Sequence, residues 1–265
     1  ARRDFTMNAL YATADGVVID PLGGLPDLQA RRVRFVGDPA ARIAEDYLRI
    51  LRFFRFSAVY GDPAQGIDVE GLAACAAHAD AISGLSKERI GAEMRKLLAA
   101  ADPAPALASM AQAGVLLQTL PGADPRAVAP LVHLEPPTAP RWQRRLAMLT
   151  GQDPTDALRL SRTESANFSK VRAEIGSTQT PAALGWSLGA ELAQDVVLCR
   201  AALLEMPLPM GWRDEIARGA AAQCPVKAAD LMPALQGAAL GVRLRAIESA
   251  WLRSDLRLDK AALLR

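Results

Sequence analysis

Three short clusters near the start of the chain carry side chains able to do chemistry. They are Arg2-Arg3-Asp4 running into Phe5-Thr6-Met7-Asn8-Ala9-Leu10, then Asp20-Pro21-Leu22-Gly23-Gly24 with Asp27-Leu28, then Glu45-Asp46 with Arg49, Arg52 and Arg55. An ionised carboxylate only accepts hydrogen bonds and a guanidinium only donates them. Asp46 and Arg49 together could therefore meet the fixed donors and acceptors on the Watson–Crick edge of cytosine or adenine. At about 100° per helical residue, Asp46, Arg49 and Arg52 step round by roughly 60° each and share a face, while Arg55 turns away toward phosphate or solvent. Glu45 precedes Arg49 by four residues, the orientation that favours an acid–base pair, so it can fix the guanidinium from behind. Alone, this third cluster also reads as a surface salt-bridge ladder, with Leu48, Leu51 and Phe54 or Phe56 facing a core. A ladder of that kind leaves the ordered set of three clusters unexplained.

The elements that must position these residues change type along the chain. From Phe5 to Val36 the pattern is strand-like: Ala9 to Ala12, a turn at Asp15-Gly16, Val17 to Ile19, and a third run from Arg32 to Val36. So few strands bury little apolar area, and such a piece needs further partners. After Gly37 the periodicity becomes helical, with Asp38 as cap and Pro39 in the first turn, continuing through Ala58 with a break near Glu45. Ser86 is placed to cap a helix reaching about Ala100, and prolines at 121, 136, 137, 181, 207, 209 and 225 punctuate the helical pattern beyond.

Composition agrees with a mainly α chain. Aromatic residues are 5% of the 265 and long β-branched runs are scarce, whereas Ala, Leu and Arg recur throughout. A net charge of +2 imposes no global field toward nucleic acid, which leaves local clusters to carry any such contact. Cys75, Cys199 and Cys224 are odd in number and far apart, which argues against a disulfide framework or a zinc site and points to a reducing, cytoplasmic setting. No apolar stretch reaches the roughly 18 residues that span a bilayer, so no membrane association is expected.

The segments RRDFTMNAL, DPLGGLPDL and EDYLRILRFFRF resemble consecutive motifs of class II CCA-adding enzymes and bacterial poly(A) polymerases. Lys87-Glu88-Arg89-Ile90 with Glu93 is similar to the motif that follows. A fainter likeness runs through Asp230-Leu231, Gly237, Leu240-Gly241 and Ile247 to Trp251. The resemblance implies a mainly α fold. A short β remnant of a nucleotidyltransferase head would occupy 1–37, a helical neck with the nucleotide-recognition motif 38–101, and a helical, RNA-binding body and tail 102–265. It implies a template-independent nucleotidyltransferase that adds CCA to tRNA 3′ ends, with CTP, ATP and tRNA as partners. Poly(A) addition, or a catalytically silent RNA-binding relative, are the alternatives.

Residue by residue, the same resemblance makes Arg3 a phosphate contact, Asp4 a ribose hydroxyl partner, Asp46 with Arg49 the base-reading pair, and Arg52 their support. Arg2 would serve backbone or RNA contacts, and Asp20, Asp27, Arg89 and Glu93 would hold head and neck together. The family pattern also carries an upstream Gly-rich segment whose Asp-x-Asp pair holds Mg²⁺. No Asp-x-Asp follows in this chain, since Asp153-Pro154-Thr155-Asp156 has the wrong spacing and reads as a turn and helix start. The chain is therefore expected to begin part-way through the head, to supply no catalytic or metal-binding residue of its own, and to hold a nucleotide without transferring it.

His78 and His133 are read as helix-face or packing residues rather than ligands, and with no His-Asp dipeptide a metal-dependent phosphohydrolase is set aside. Trp142, Trp186, Trp212 and Trp251 are read as core filling before RNA stacking. Arg141, Arg144, Arg145, Arg159, Arg162, Lys170 and Arg172 are left between the tRNA backbone and a solvated helix face.

Overall fold

The computed structural model describes residues 3–265; Arg2 lies outside them. The chain divides into two compact units, 1–168 and 169–265.

In the first unit the strand-like start forms a hairpin, β1 (Tyr11–Ala12) and β2 (Val18–Ile19), paired antiparallel with Tyr11 opposite Ile19. Gly16 makes its turn at φ 87°, a region open to glycine at no steric cost. The run 32–36 does not become a continuous strand. It meets the chain start through a single bridge between Phe5 and Phe35, with Thr6 N donating to Arg34 O and Val36 N donating to Asp4 O, each at 3.0 Å. Two effects shorten the pairing: Thr6–Asn8 coils into a 3₁₀ turn, and Arg32 and Arg34 are drawn to Asp27 within the intervening helix α1 (Gly24–Gln29). Asp20 starts that helix by accepting from Gly24 N and Leu25 N, both at 2.8 Å.

The helices that follow are α2 (Pro39–Glu45), α3 (Leu48–Tyr60), α4 (Val69–Ala77), α5 (Lys87–Leu98), α6 (Ala104–Gln112), α7 (Val115–Thr119), α8 (Val128–Leu134) and α9 (Trp142–Leu149). Asp38 caps α2 by accepting from Ala41 N, with Pro39 in the first turn, and Ser86 caps α5 by accepting from Arg89 N, as the sequence signals require. The expected break falls at Asp46, whose extended backbone (φ −161°, ψ 105°) separates α2 from α3. Helix α3 buries Leu48, Ile50, Leu51, Phe53, Phe54 and Phe56, and packs on α5 and α6. Its Phe53 stacks on Phe35 at 5.2 Å between ring centroids, and Phe56 meets Phe5 at 4.7 Å, so the start of the chain is riveted to α3 by aromatic rings. The 153–156 segment makes the turn but not the helix start; α10 (Arg162–Ile175) begins later.

In the second unit, α11 (Pro181–Leu188), α12 (Ala190–Leu204), α13 (Trp212–Ala221), α14 (Gly237–Arg253) and α15 (Lys260–Leu264) follow. Helices α11 and α13 lie so close that a Cβ on Gly219 would stand 1.8 Å from Ala182 O, and one on Gly185 2.3 Å from Ile216 O. Reciprocal glycines are what let two backbones approach in this way. Trp186 meets Trp251 edge-on at 5.6 Å, Trp251 filling a core with Val226, Ile247 and Leu263. Trp212 and Trp251 are buried, while Trp142 and Trp186 are half-buried. No described helix is long and apolar enough to cross a membrane.

Candidate nucleotide site

The bridge that pairs Phe5 with Phe35 fixes Asp4 beside the first turns of α3. There its carboxylate is shared: Oδ1 accepts from Arg49 Nε at 2.9 Å and Oδ2 from Arg52 Nε at 2.6 Å. Arg49 Nη1 donates to Glu45 Oε2 at 2.7 Å and to Arg42 O at 2.6 Å. Arg42 Nη2 in turn donates to Arg3 O, and Arg42 pairs with Glu45. Charges thus alternate along Glu45, Arg49, Asp4 and Arg52, a chain in which every buried charge faces its opposite. Burial works against the Arg49 charge, but the bonds to Glu45 and Asp4 outweigh it and hold the guanidinium more firmly protonated than usual. Reciprocally, bonds from Arg49 and then Arg42 hold Glu45 below the usual carboxylate range.

Arg49 is 9% exposed and Asp4 8%, yet the network opens outward: the Arg52 side chain is 28% exposed, and Arg3 is exposed with its guanidinium 5.8 Å from the Tyr11 ring. The expected common face for Asp46 and Arg49 is not formed, because Asp46 stands outside the helix. Its main-chain oxygen accepts from Arg49 N at 3.0 Å, while its side chain turns to other partners. Oδ1 accepts from Leu48 N, two residues on, at 3.1 Å, and Oδ2 accepts from Arg89 Nη2 of α5 at 2.7 Å. The two residues therefore sit on adjoining backbone and are held from different sides.

Of the residues expected to hold the structure together, Asp27 is fully buried and accepts from Thr6 Oγ1 at 2.6 Å as well as from Arg32 and Arg34. Burial raises its pKa, and these three bonds more than offset that and lower it. Glu93, also buried, accepts from Arg55 Nε at 2.6 Å, so Arg55 reaches neither phosphate nor open solvent. Arg52 Nη1 also lies 3.8 Å from Glu93 Oε1, which extends the charge chain from α3 to α5. Arg42 is the member that sequence reasoning passed over. Its spacing of three residues to Glu45, a one-face separation within α2, was the available signal.

Two arginines assigned to RNA or a solvated face are neither. Arg144 and Arg145, 1% and 0% exposed, share Glu135, with Arg144 Nη2 2.9 Å from Oε1 and Arg145 Nη2 2.7 Å from Oε2. Arg145 also donates to Leu98 O at the end of α5 and to Ala100 O and Ala101 O just beyond it, satisfying carbonyls a helix terminus leaves open. Arg159 ion-pairs with Glu88 at 2.9 Å on the surface. His78 Nδ1 lies 2.9 Å from Ala74 O, a local helix-end contact. A cavity of about 280 Å³, lined by Arg31, Ser57, Asp62, Asp68 and Asp102 among others, includes none of the candidate site residues. Among the described residues no group of three or more His, Cys, Asp or Glu is placed to hold a metal ion.

Residues 1–34 match the family described as poly A polymerase head domain, and residues 66–126 the probable RNA and SrmB-binding site of polymerase A. The chain is 45% identical over 97 residues to CCA tRNA nucleotidyltransferase 1, mitochondrial, of Homo sapiens, covering 37% of this chain and 22% of that protein. It is 34% identical over 184 residues to the multifunctional CCA protein of Halorhodospira halophila, covering 69% of this chain and 42% of that protein. The chain thus spans less than half the length of either relative. The crystal structure of the Bacillus stearothermophilus CCA-adding enzyme in complex with CTP superposes with a TM-score of 0.71 at 26% identity, covering 96% of this chain and 69% of that one. With its motifs in order, its charge network built from them and its helical fold shared over nearly the whole length, the chain belongs to the class II CCA-adding enzyme family.

Proposed function

We propose that the intact protein adds C, C and A to the 3′ end of tRNA, selecting CTP and ATP with side chains in place of a nucleic-acid template. The observation that carries this reading is the linked set Glu45, Arg49, Asp4 and Arg52, with Asp46 beside it, at the junction of head and neck. An acceptor at Asp46 suits the exocyclic amino group common to cytosine and adenine and repels the carbonyl that uracil and guanine present at the same place. Arg49 supplies donors, and its fixed guanidinium costs little ordering when a base arrives. Arg3 stands exposed for the triphosphate, and Asp4 offers its remaining lone pairs to a ribose hydroxyl. Relatives and a structural neighbour named for CCA addition favour this over poly(A) addition.

The Mg²⁺ such a transfer uses would stabilise charge on the reacting phosphate and activate the primer hydroxyl. The described residues do not fit it, and no step here runs through them. The cytoplasm is the compartment proposed, consistent with three cysteines that form no disulfide among the described residues. The test is incorporation of labelled CTP and ATP into tRNA lacking its 3′ end by the intact protein. Addition of C, C and A in order supports the reading. A run of A alone would instead establish poly(A) addition, and tRNA binding without incorporation the silent relative.

A further inference from the structure

A nucleotide engages the proposed site at two ends. Asp46 and Arg49 serve the base and Arg3 the triphosphate, so the separation of these residues has to match the span of the ligand. Arg49 is fixed by Asp4 and Glu45. Arg3 is not fixed through its side chain. Among the described residues its guanidinium makes no hydrogen bond or ion pair, and the Tyr11 ring, 5.8 Å away, lies near the roughly 6 Å limit of such an attraction. What holds Arg3 is its main chain, whose carbonyl oxygen accepts from Arg42 Nη2 at 2.5 Å across 39 residues of sequence.

Arg42 is bonded to the base-reading end as well. Its Nη1 donates to Glu45 Oε2 at 2.5 Å, the oxygen that also accepts from Arg49 Nη1 at 2.7 Å, and its own carbonyl accepts from Arg49 Nη1 at 2.6 Å. A guanidinium is a rigid planar fork, so the directions of its nitrogens are set together, and seating Nη1 against Glu45 aims Nη2 at Arg3. An ion pair three residues apart on a helix adds little to stability and needs no burial. Arg42 is nevertheless only 9% exposed, having turned inward to reach the start of the chain.

We infer that Arg42 is a positioning residue that sets the reach between Arg3 and Arg49, and so fits the site to the length of a nucleoside triphosphate without touching it. This rests on the roles proposed above for Arg3 and Arg49. Without the fork, Arg3 is released from its register with the base reader, and the triphosphate contact weakens whatever the base.

The test measures KM and kcat for CTP, ATP, GTP and UTP on tRNA lacking its 3′ end, with thermal unfolding alongside. The intact protein is compared with its Arg3→Ala, Arg42→Ala and Arg42→Lys variants and with the double variant Arg3→Ala/Arg42→Ala. Arg42→Ala is expected to raise KM about tenfold for all four nucleotides, the worth of one hydrogen bond to a charged group, with the CTP to UTP preference kept because Asp4 and Glu45 still hold Arg49. In the double variant KM matches that of Arg3→Ala alone, since nothing is left to position. Arg42→Lys keeps a charge beside Glu45 but lacks the fork, so it shows most of the rise in folded protein and carries the test if the alanine variant unfolds. A lysine variant with the KM of the unmodified protein overturns the inference, as do effects that multiply in the double variant or a loss confined to CTP and ATP. If Arg3→Ala itself leaves KM unchanged, the phosphate role falls and the inference with it. If Arg3→Ala raises KM and neither Arg42 variant does, only the inference fails.

Discussion

The first unit contains two clusters of arginine and carboxylate built from the same chemistry and put to opposite ends. Around Glu135, two guanidinium groups and one carboxylate are sealed from solvent, and Arg145 spends its remaining donors on backbone carbonyls. Around Asp4, the charges alternate in a chain with an open edge, where Arg3, Arg52, Asp46 and Arg89 remain accessible. A sealed cluster has no donor or acceptor left for a ligand and holds helices in place; an open one keeps them and can read a substrate. Exposure at the edge, rather than the number of charges, separates a site from a brace.

The largest effect expected from this comparison is at Glu135. Replacing it with Ala strands two buried guanidinium groups, which should cost about 3 to 5 kcal/mol in urea unfolding. A cost like that of a surface pair would erase the distinction. At Asp4 the cost should fall on function. Asp4→Ala should weaken use of ribonucleotides relative to 2′-deoxynucleotides by about 1.5 to 3 kcal/mol, the worth of a hydrogen bond to a charged group. Equal loss for both sugars would contradict its ribose role.

Acid provides a subtler test. The Asp27 carboxyl is held below its ordinary 3.8, so its contribution to stability is fully present above that pH and is lost as the pH falls through the lower folded-state value. Asp27→Asn should flatten the acid limb of a stability–pH curve taken below about pH 4, the ordinary aspartate range; an unaltered limb would show the head segment is anchored otherwise. The smallest effect belongs to the exposed pair Arg126 and Asp124, side chains 89% and 48% exposed. Arg126→Ala should change unfolding by under about 0.5 kcal/mol.

The open cluster was legible in the sequence because its members stand in compact motifs whose spacing survives folding: Asp4 near the start, Glu45 and Arg49 one turn apart. The break after Glu45 was legible too. Its consequence was not, because a helical wheel drawn through Asp46 puts it on the Arg49 face, whereas the extended backbone there sends it to α5. The sealed cluster was illegible for a related reason. Arg144 and Arg145 look like surface charge, and their burial depends on Glu135, nine and ten residues away across a proline pair. The glycine seam of α11 and α13 escaped as well, since close backbone approach leaves no side-chain pattern at all.

The central claim is that Asp46 and Arg49 stand in for a template. It is tested most directly by the nucleotide preference of Asp46→Ala and Arg49→Ala in the intact protein, measured as kcat/KM for each of CTP, ATP, GTP and UTP on tRNA lacking its 3′ end. Loss of a base contact worth about 1 to 3 kcal/mol should lower the preference for CTP and ATP by roughly tenfold or more in each variant, in folded protein. An unchanged preference in both variants would contradict the account.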